Sequence, residues 1–344
     1  MRSLHFLVPG LFWPDMTDPR PYTGLELPAL ERMLAKGRRQ SHPVAGVEDW
    51  LGQQWGFASS SSSSPAPFAA LLVQHGDRLA GEAVWMCADP VNMQARGVEI
   101  FLTAGESLDI GEAEAAALIE ALNTFFAPDG LSFLAIAPDR WVARLPAQPD
   151  MQTTALSAAH GRPIDRLLPQ GDGALPWIKR LNEAQMLLHG HPVNTAREDA
   201  GRPLVNSLWF WGPGRYVAPS RRPADRLFSD DPLVTALGRA SETEALPAPD
   251  NAQPVLAAAT RESVLFEYSG CRRAADSGDV SAWQCALQAF DEQFLEPALT
   301  ALGTGMLDRL KLTGISGQRS MHVHLGRLDL LRFWRRGAKL GVPA

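Results

Sequence analysis

The sequence predicts an α/β protein in which a mostly parallel sheet is covered by helices on both faces. Short apolar runs, typical of buried strands, alternate along the chain with amphipathic helical segments, which is the pattern of parallel sheets. The chain has 344 residues, more than one domain of about 100–200 residues needs. A β-α-β-β pattern over residues 98–145, after a run of serines, therefore predicts a small α+β domain inserted into the larger one.

The first predicted elements are a strand and a helix. Residues 4–8 (LHFLV) are apolar and end at Pro9-Gly10, which indicates a buried strand. Residues 27–36 carry an apolar stripe at helical spacing and predict a helix. Six serines at 59–64 form a low-complexity segment, and such a composition is typical of a linker.

The later elements follow from the same periodicities. Trp283, Leu287, Phe290 and Phe294 recur at spacings of 4, 3 and 4, which predicts a helix over 279–302. Residues 215–261 show little periodicity and predict loop with short helices. The remaining predicted elements are a strand VEIFL, a helix 112–126, strands LSFLAIA and RWVARLP, a helix 174–188, and strands VNSLWFW, 263–268, LDRLKLT and MHVHL.

These elements predict a divided core. The expected parts are an α/β core of residues 1–58 and 205–344, a Ser-rich linker 59–66, and an inserted α+β domain 67–204. Trp209 and Trp211 alternate with Phe210, so we expect both faces of that strand to be buried and the strand to lie centrally in the core sheet.

Composition limits the classes of protein. The net charge is −6, which argues against a general nucleic-acid binder. The apolar runs are shorter than the ~20 residues that cross a bilayer, and no signal peptide is recognisable at the N-terminus. Cys87, Cys271 and Cys285 are scattered, as a reducing cytoplasm permits. The expectation is a cytoplasmic protein with no membrane span.

The densest polar cluster lies at residues 187–215. Arg and Asn side chains near a Gly-rich turn can hold a phosphate or carboxylate, because planar guanidinium groups match both. The alternative is that Asn194 and Arg197 cap and brace a crossing between two domains, and composition alone favours this alternative. The polar residues of the cluster are His189, His191, Asn194, Arg197, Arg202, Asn206 and Arg215.

Metal and nucleophile signatures are weak. His189 and His191, like His322 and His324, are two residues apart without a carboxylate or cysteine at a recurrent metal spacing. For His322 and His324, a solvent-facing stripe on an edge strand is favoured over a zinc pair. The chain has no GxSxG, P-loop, HExxH or GxGxxG motif.

The segment HPVN–x2–R–x3–G–x4–N, followed by LWFWGPG, resembles the archaeal-type cofactor-independent phosphoglycerate mutases of the alkaline phosphatase superfamily. RGVEIFL, EAEAAALIEALN and DGLSFLAIAPDRWVARL are similar to the inserted domain of that family, and TGLELPALERMLAKGR to the segment after its first strand. His160 in AAHGRP matches a family position. PGLFWP, ADPV, SLWFWG and FWRR resemble bacterial regulatory proteins of the RpfE type.

The resemblance implies an alkaline-phosphatase-like core and, for an active mutase, two divalent metals and a Ser or Thr nucleophile. Three ligand segments depart from that pattern: Pro9-Gly10-Leu11 replaces GDG, CRRAADSGD puts Arg272 and Asp276 where Asp and His are expected, and TGISGQ replaces DHG. Thr23 is the hydroxyl residue that could substitute as nucleophile. Asp15 and Asp18 could supply one ligand, although loop carboxylates in water are favoured.

The expected function is therefore that of a non-catalytic regulatory protein without a cofactor. It would bind a protein partner or a small phosphorylated or anionic metabolite, and the candidate ligand residues are His160, His191, Asn194, Arg197, Asn206 and Arg215. The alternative is a divergent mutase or metal-dependent phosphatase that uses Mn or Zn and Thr23. A purely structural interaction protein is a third possibility.

The C-terminal segment is basic and aromatic. Such a stretch could touch acidic lipids or a nucleic acid. We expect instead that Phe333 and Trp334 dock on the core and leave the cations in solvent.

Overall fold

The computed structural model describes residues 2–15, 17–57, 66–76, 79–332, 334–335 and 338–341. The predicted linker 59–66 lies outside the described residues except for Ala66. The strands are, in chain order, β1 (Ser3–Pro9), β2 (Arg38–Pro43), β3 (Val84–Arg96), β4 (Glu99–Ala104), β5 (Ser132–Ala137), β6 (Arg140–Leu145), β7 (Ser207–Gly214), β8 (Arg226–Phe228), β9 (Glu244–Leu246), β10 (Ser263–Glu267), β11 (Arg309–Ser316) and β12 (Arg319–Gly326).

The helices connect these strands. In chain order they are α1 (Pro28–Lys36), α2 (Val47–Gln54), α3 (Phe68–Gln74), α4 (Glu112–Phe126), α5 (Leu156–Ala159), α6 (Leu175–His189), α7 (Pro192–Asp199), α8 (Pro232–Ala240), α9 (Ala252–Ala259), α10 (Gly270–Asp276), α11 (Val280–Phe290) and α12 (Glu296–Thr304). A π-helical turn, Asp291–Leu295, joins α11 to α12. None of the described helices is long and apolar enough to cross a membrane.

The chain forms two compact units. One comprises residues 1–47 and 221–344, and the other residues 48–220. The sequence placed the divisions near residues 58 and 205. Both observed divisions differ from these, since they lie at residues 47/48 and 220/221. The second one differs because β7 pairs with β3, which brings residues 207–214 into the smaller unit.

The larger unit contains a seven-stranded sheet in the order β2-β12-β11-β1-β10-β8-β9. Strands β1, β8, β9, β10 and β11 are mutually parallel, and β12 and β2 are antiparallel to their neighbours. The predicted mostly parallel sheet is thus confirmed.

Helices cover both faces of this sheet. On one face Phe6 and Phe266 pack edge-on at 5.9 Å between ring centroids, and Phe290 of α11 joins them. On the other face, Gly238 of α8 lies so close to Leu227 that an added Cβ would stand 2.8 Å from the leucine methyl. Alternation along β8 explains this, because Phe228 points to the first face and Leu227 to the second.

The smaller unit contains an antiparallel sheet in the order β4-β3-β6-β5, with β7 paired to β3. The predicted strand–helix–strand–strand series over 98–145 is confirmed as β4, α4, β5 and β6. Its core holds apolar side chains of α4, α6 and the sheet, with Trp141 and Phe210 at most 2% exposed. The sequence predicted no strand over β3, since Asp89 and Pro90 stand in its middle and both are uncommon there.

Strand β7 is buried on both faces, as predicted. Trp209, Phe210 and Trp211 are 0–2% exposed. The expectation that this strand lies centrally in the core sheet is corrected: β7 pairs with β3 in the antiparallel sheet. Apolar residues on both faces indicate two covering layers and do not identify the neighbouring strand.

Candidate functional site

The polar cluster at 187–215 starts where α6 ends. Asn194, in α7, is 2% exposed. Its amide nitrogen donates to the carbonyls of Leu188 (2.7 Å) and Val205 (2.8 Å), and its Oδ1 accepts from the Val205 N–H at 2.9 Å. The side chain thus joins the end of α6 to the segment before β7, and its hydrogen-bonding capacity is used inside the protein.

Arg197 is engaged in the same way. Its side chain is 0% exposed. The guanidinium donates to the Pro203 carbonyl at 2.7 Å, to Glu114 Oε2 at 2.7 Å and to the Leu108 carbonyl. Burial lowers its pKa. Arg202 also pairs with Glu114, at 3.1 Å. The contacts of Arg197 favour the bracing alternative, within one unit rather than between two, and its role as an anion ligand stays a prediction.

Three other predicted ligand residues hold backbone groups. Asn206 bonds both the N–H (2.8 Å) and the carbonyl (2.9 Å) of Met93. His191 Nδ1 accepts from the Val193 N–H at 3.2 Å and caps α7, and burial lowers its pKa. His160 Nδ1 accepts from the backbone N–H of residue 104 at 3.3 Å.

Arg215 differs from the other candidates because it is exposed and lines a cavity. The cavity has a volume of about 740 Å³, and Arg144, Glu82 and Trp85 also line it. Arg215 follows β7 directly, and Arg144 lies in β6 opposite Trp85 of β3. The lining combines two cationic side chains and one carboxylate, Glu82, with apolar residues such as Trp85 and Leu134. The two guanidinium groups are suited to an anion with a small organic body.

A second cluster lies at the carboxyl end of the parallel strands in the larger unit. Glu267 ends β10 and is 1% exposed. Ser229, just after β8, donates its Oγ–H to Glu267 Oε2 at 2.5 Å and accepts from the Asp231 N–H at 3.0 Å. Asp231 caps α8 through the Leu233 N–H at 2.8 Å. Parallel strands end at one sheet edge, which is why these residues meet.

Arg272 completes this second cluster. Its Nη2 lies 3.1 Å from Asp231 Oδ2. Burial by itself would lower the pKa of Arg272, but the charges of Asp231, Glu267 and Asp276 raise it above its ordinary value. Gly10 lets the end of β1 lie close to the backbone of α10, because a Cβ at residue 10 would stand 2.7 Å from the Arg272 Cα.

Burial and the charge of Asp231 raise the pKa of Glu267 to about 7, against the opposing effect of Arg272. The sequence offered one signal for Glu267, a carboxylate that directly ends an apolar strand. Its partners, Ser229 and Asp231, lie in a segment without periodicity and were not singled out.

The second cluster does not fit the two divalent metals that the resemblance implies for an active mutase. Within the described part of the chain, no three His, Cys, Asp or Glu side chains converge in a geometry that could hold a metal ion. The available carboxylate of Asp231 is paired with a guanidinium. A cation fixed among the carboxylates opposes the entry of a second cation.

Thr23 is exposed in the loop that follows β1. Its backbone N–H donates to the Arg20 carbonyl at 3.0 Å. The preceding turn is fixed by Tyr22, whose ring packs edge-on against Trp283 at 5.4 Å. The hydroxyl of Thr23 is therefore presented on an anchored segment.

Asp15 and Asp18 form local contacts in the same loop. Asp15 accepts the Thr17 hydroxyl at 2.7 Å, and Asp18 pairs with Arg20 at 2.8 Å. These hydrogen bonds lower the pKa of both carboxyls. Asp15 is exposed, as expected of a loop carboxylate in water, whereas the side chain of Asp18 is 16% exposed.

His322 and His324 were expected on an edge strand. The structure corrects this, because β2 pairs with β12 on its outer side. His322 bonds Thr313 Oγ1 and Ser320 Oγ, both at 2.9 Å, and burial lowers its pKa to about 4. His324 is exposed.

Of the two C-terminal aromatic residues expected to dock on the core, the structure describes Trp334. Trp334 is 66% exposed, so the prediction that it docks on the core is wrong. Phe333 lies outside the described residues.

Known proteins similar to this chain are phosphoglycerate mutases. The 2,3-bisphosphoglycerate-independent phosphoglycerate mutase of Methanothrix thermoacetophila is 30% identical over 161 residues, which cover 41% of each chain. That of Methanosarcina barkeri is 31% identical over 127 residues, covering 35% of this chain and 30% of the relative. The matches thus span less than half the length of these relatives. No family profile matches the chain.

Solved structures show the same fold over nearly the whole chain. A protein of Pyrococcus horikoshii superposes with a TM-score of 0.54 at 14% identity, covering 94% of this chain and 87% of the other. The cofactor-independent phosphoglycerate mutase of Thermoplasma acidophilum gives 0.50 at 17% identity, covering 99% and 94%. The chain is therefore related to the cofactor-independent phosphoglycerate mutases and has their fold.

Proposed function

We propose that this chain is a regulatory protein of the RpfE type that has lost the two-metal catalysis of the related mutases. It acts by binding a protein partner or a small anionic metabolite, without a cofactor and in the cytoplasm. The observation that carries the proposal is the pairing of Arg272 with Asp231 beside buried Glu267. A two-metal centre needs those strand-end carboxylates for its own cations.

The test is interconversion of 2- and 3-phosphoglycerate by the purified chain, with excess Mn²⁺ and with a chelator as control. We expect no turnover in either condition. We also expect Thr23→Ala to behave as the unchanged chain does. Mn²⁺-dependent turnover that disappears in Thr23→Ala would overturn the proposal.

Mn²⁺-dependent turnover that requires Thr23 would establish the alternative, a divergent mutase or metal-dependent phosphatase. The observation that favours it is the exposed Thr23 hydroxyl on the anchored loop after β1. A hydroxyl nucleophile needs such a fixed and accessible position. The sequence relation to curated mutases supports both proposals equally.

The proposed binding site for the anionic metabolite is the cavity lined by Arg144 and Arg215. Its chemistry suits a three-carbon phosphorylated acid, and 3-phosphoglycerate is the probe. Calorimetric titration should show binding that Arg215→Ala and Arg144→Ala each weaken about tenfold or more, as the loss of a charged hydrogen bond of about 1.5–3 kcal/mol implies.

Arg166→Ala is the matched control, because Arg166 is also exposed in the smaller unit and does not line the cavity. Equal weakening in Arg166→Ala would show a non-specific charge effect. Binding unchanged in both cavity variants would exclude this cavity as the site.

A further inference from the structure

Residues 327–335, named here the basic segment, carry large apolar side chains that are exposed to solvent. The structure describes all of these residues except Phe333. Leu328 is 79% exposed, Leu331 67% and Trp334 66%. Scattered single apolar side chains are normal on a protein surface, whereas several that lie together mark a surface that binds a partner or a membrane. The basic segment therefore has the composition of a docking surface.

The spacing of these side chains brings them together. Arg327–Leu331 is a 3₁₀ helix, which has three residues per turn, so side chains three positions apart lie one above the other. Leu328 and Leu331 therefore share one face of this helix. Trp334 follows after another three residues, in a turn.

Contacts within the larger unit hold the basic segment in place. Leu330 packs against the hydrophobic core, and its carbonyl accepts from Lys36 Nζ at 2.7 Å. Arg332 donates to the Lys36 carbonyl at 3.3 Å and pairs with Asp329 at 2.7 Å. After the segment, Leu340 is again buried. The exposed apolar side chains are therefore presented on an anchored piece of chain.

Cations accompany the apolar side chains. Residues 327–339 hold five Arg and Lys residues and one acidic residue, Asp329, in a chain whose net charge is −6. Asp329 is paired with Arg332, whereas Arg327 and Arg335 form no ion pair in the described part of the chain. Exposed leucine and tryptophan beside uncompensated cations match the interface of an anionic bilayer, which offers an apolar boundary under a layer of negative charge.

The basic segment lies at one end of the large sheet, away from the cluster of Glu267 and Arg272. It follows Gly326, the last residue of β12, which pairs with Arg309, the first residue of β11. The segment is thus at the edge where the parallel strands begin, and Glu267 is at the edge where they end. A partner bound at the basic segment leaves the strand-end cluster uncovered.

We propose that the basic segment docks the chain reversibly on an anionic lipid surface. Leu328, Leu331 and Trp334 enter the headgroup region, and the guanidinium groups of Arg327 and Arg335 pair with the anionic headgroups. A nucleic acid would also attract these cations, but phosphate contacts make no use of exposed leucines, which favour lipid. The inference goes beyond the proposed function, because it concerns where the chain resides and needs no ligand in the cavity.

The experiment is flotation of the purified full chain with lipid vesicles. Vesicles of phosphatidylcholine alone are compared with vesicles in which about one third of the lipid is phosphatidylserine, at about 0.1 M salt. We expect the chain to float with the anionic vesicles and not with the neutral ones.

Two double variants separate the apolar contribution from the charge. Leu328→Ser with Leu331→Ser, and Arg327→Gln with Arg335→Gln, should each lower the partition coefficient on anionic vesicles about tenfold or more. All four side chains are exposed, so we expect both variants to fold, and far-ultraviolet circular dichroism checks this.

The matched control is Arg273→Gln combined with Arg319→Gln. Both arginines are exposed, and they lie at the other end of the sheet, in α10 and at the start of β12. This variant loses as much charge as the Arg327→Gln, Arg335→Gln variant and should keep the partition coefficient of the unchanged chain.

Trp334 reports insertion directly. Lipids with brominated acyl chains quench the fluorescence of tryptophans that enter the bilayer, and the other tryptophans of the chain are buried or half-buried. We expect quenching in the unchanged chain. Trp334→Phe should lose the quenching and still bind the vesicles, because phenylalanine also suits the interface.

Absence of the unchanged chain from anionic vesicles would overturn the proposal, as would equal weakening in the Arg273→Gln, Arg319→Gln control or binding without quenching. Binding to duplex DNA that requires Arg327 and Arg335, without binding to vesicles, would also overturn it and assign the surface to a nucleic acid. Phosphoglycerate turnover and binding test the proposed function separately, since neither measurement involves lipid.

Discussion

Asn194 illustrates how the buried polar side chains of the 187–215 segment work. Replacing it with alanine removes the partner of both the carbonyl and the N–H of Val205, whereas the Leu188 carbonyl keeps the His191 N–H at 3.1 Å. We expect Asn194→Ala to lower the free energy of unfolding by about 2–4 kcal/mol, because each unpaired buried group costs about 1–3 kcal/mol.

Urea unfolding measures this effect. Asn123→Ala is a control of similar chemistry in the same unit, because Asn123 bonds the N–H and the carbonyl of Phe133 but is less buried than Asn194. A ligand-binding role for Asn194 predicts the opposite pattern: stability near that of the unchanged chain with weakened binding of 3-phosphoglycerate.

Glu267 should make stability depend on pH. In the folded chain the pKa of the Glu267 carboxyl is about 7, whereas its ordinary value is 4.5. Between these values the folded state binds more protons than the unfolded state, so the free energy of unfolding falls as the pH rises from about 4.5 through about 7.

Glu267→Gln is neutral at every pH and removes this contribution. The difference in unfolding free energy between Glu267→Gln and the unchanged chain should therefore shift in favour of the variant as the pH rises through that window. Urea titrations at about pH 5 and pH 8 measure the difference. A difference that is the same at both pH values contradicts the raised pKa.

At the scale of elements, β7 depends on packing at both of its faces. Trp209 is 1% exposed, and its indole N–H donates to the Thr154 carbonyl at 2.8 Å. Trp209→Ala should cost about 3–5 kcal/mol, because it leaves a large cavity and an unpaired carbonyl. Trp334, 66% exposed, provides a matched control whose alanine variant should cost little. A loss under about 1 kcal/mol for Trp209→Ala would contradict the burial of β7.

The continuous helical region of α11, the π-helical turn and α12 shows what periodicity can predict about an element. The spacing of Trp283, Leu287, Phe290 and Phe294 gave its existence and its buried face. The π-helical turn Asp291–Leu295 within it was not predicted. That turn coincides with a buried contact, in which Asp291 accepts the N–H groups of Ala29 and Leu30 at 3.1 and 2.6 Å. A contact across some 260 residues leaves no local pattern in sequence.

At the scale of the whole molecule, residues 48–220 form a unit with its own sheet and core. Its two ends meet, because Ser220 donates its N–H to the Trp55 carbonyl at 3.1 Å and its hydroxyl to the Gly56 carbonyl at 2.6 Å. We expect a polypeptide of residues 48–220 to fold by itself, with a cooperative thermal transition by circular dichroism.

The control is a polypeptide of residues 67–204, the domain that the sequence predicted. It lacks β7 and with it the buried Trp209 and Trp211, so we expect no cooperative transition. Equal folding of both polypeptides would show that β7 is dispensable to the smaller unit.

The sequence by itself determined the α/β class, the two-part organisation and most elements, because apolar periodicity and Pro-Gly turns are local signals. It also placed Arg272 where a metal ligand is expected. Only the tertiary structure decided that β7 belongs with β3, that Asn194 bonds backbone groups, that Arg197 bonds backbone carbonyls and the Glu114 carboxylate, and that Glu267, Asp231 and Arg272 meet. Pairing partners and charge neighbours lie tens to hundreds of residues apart, and the physical reason they meet is the closing of the sheets, which no local pattern encodes.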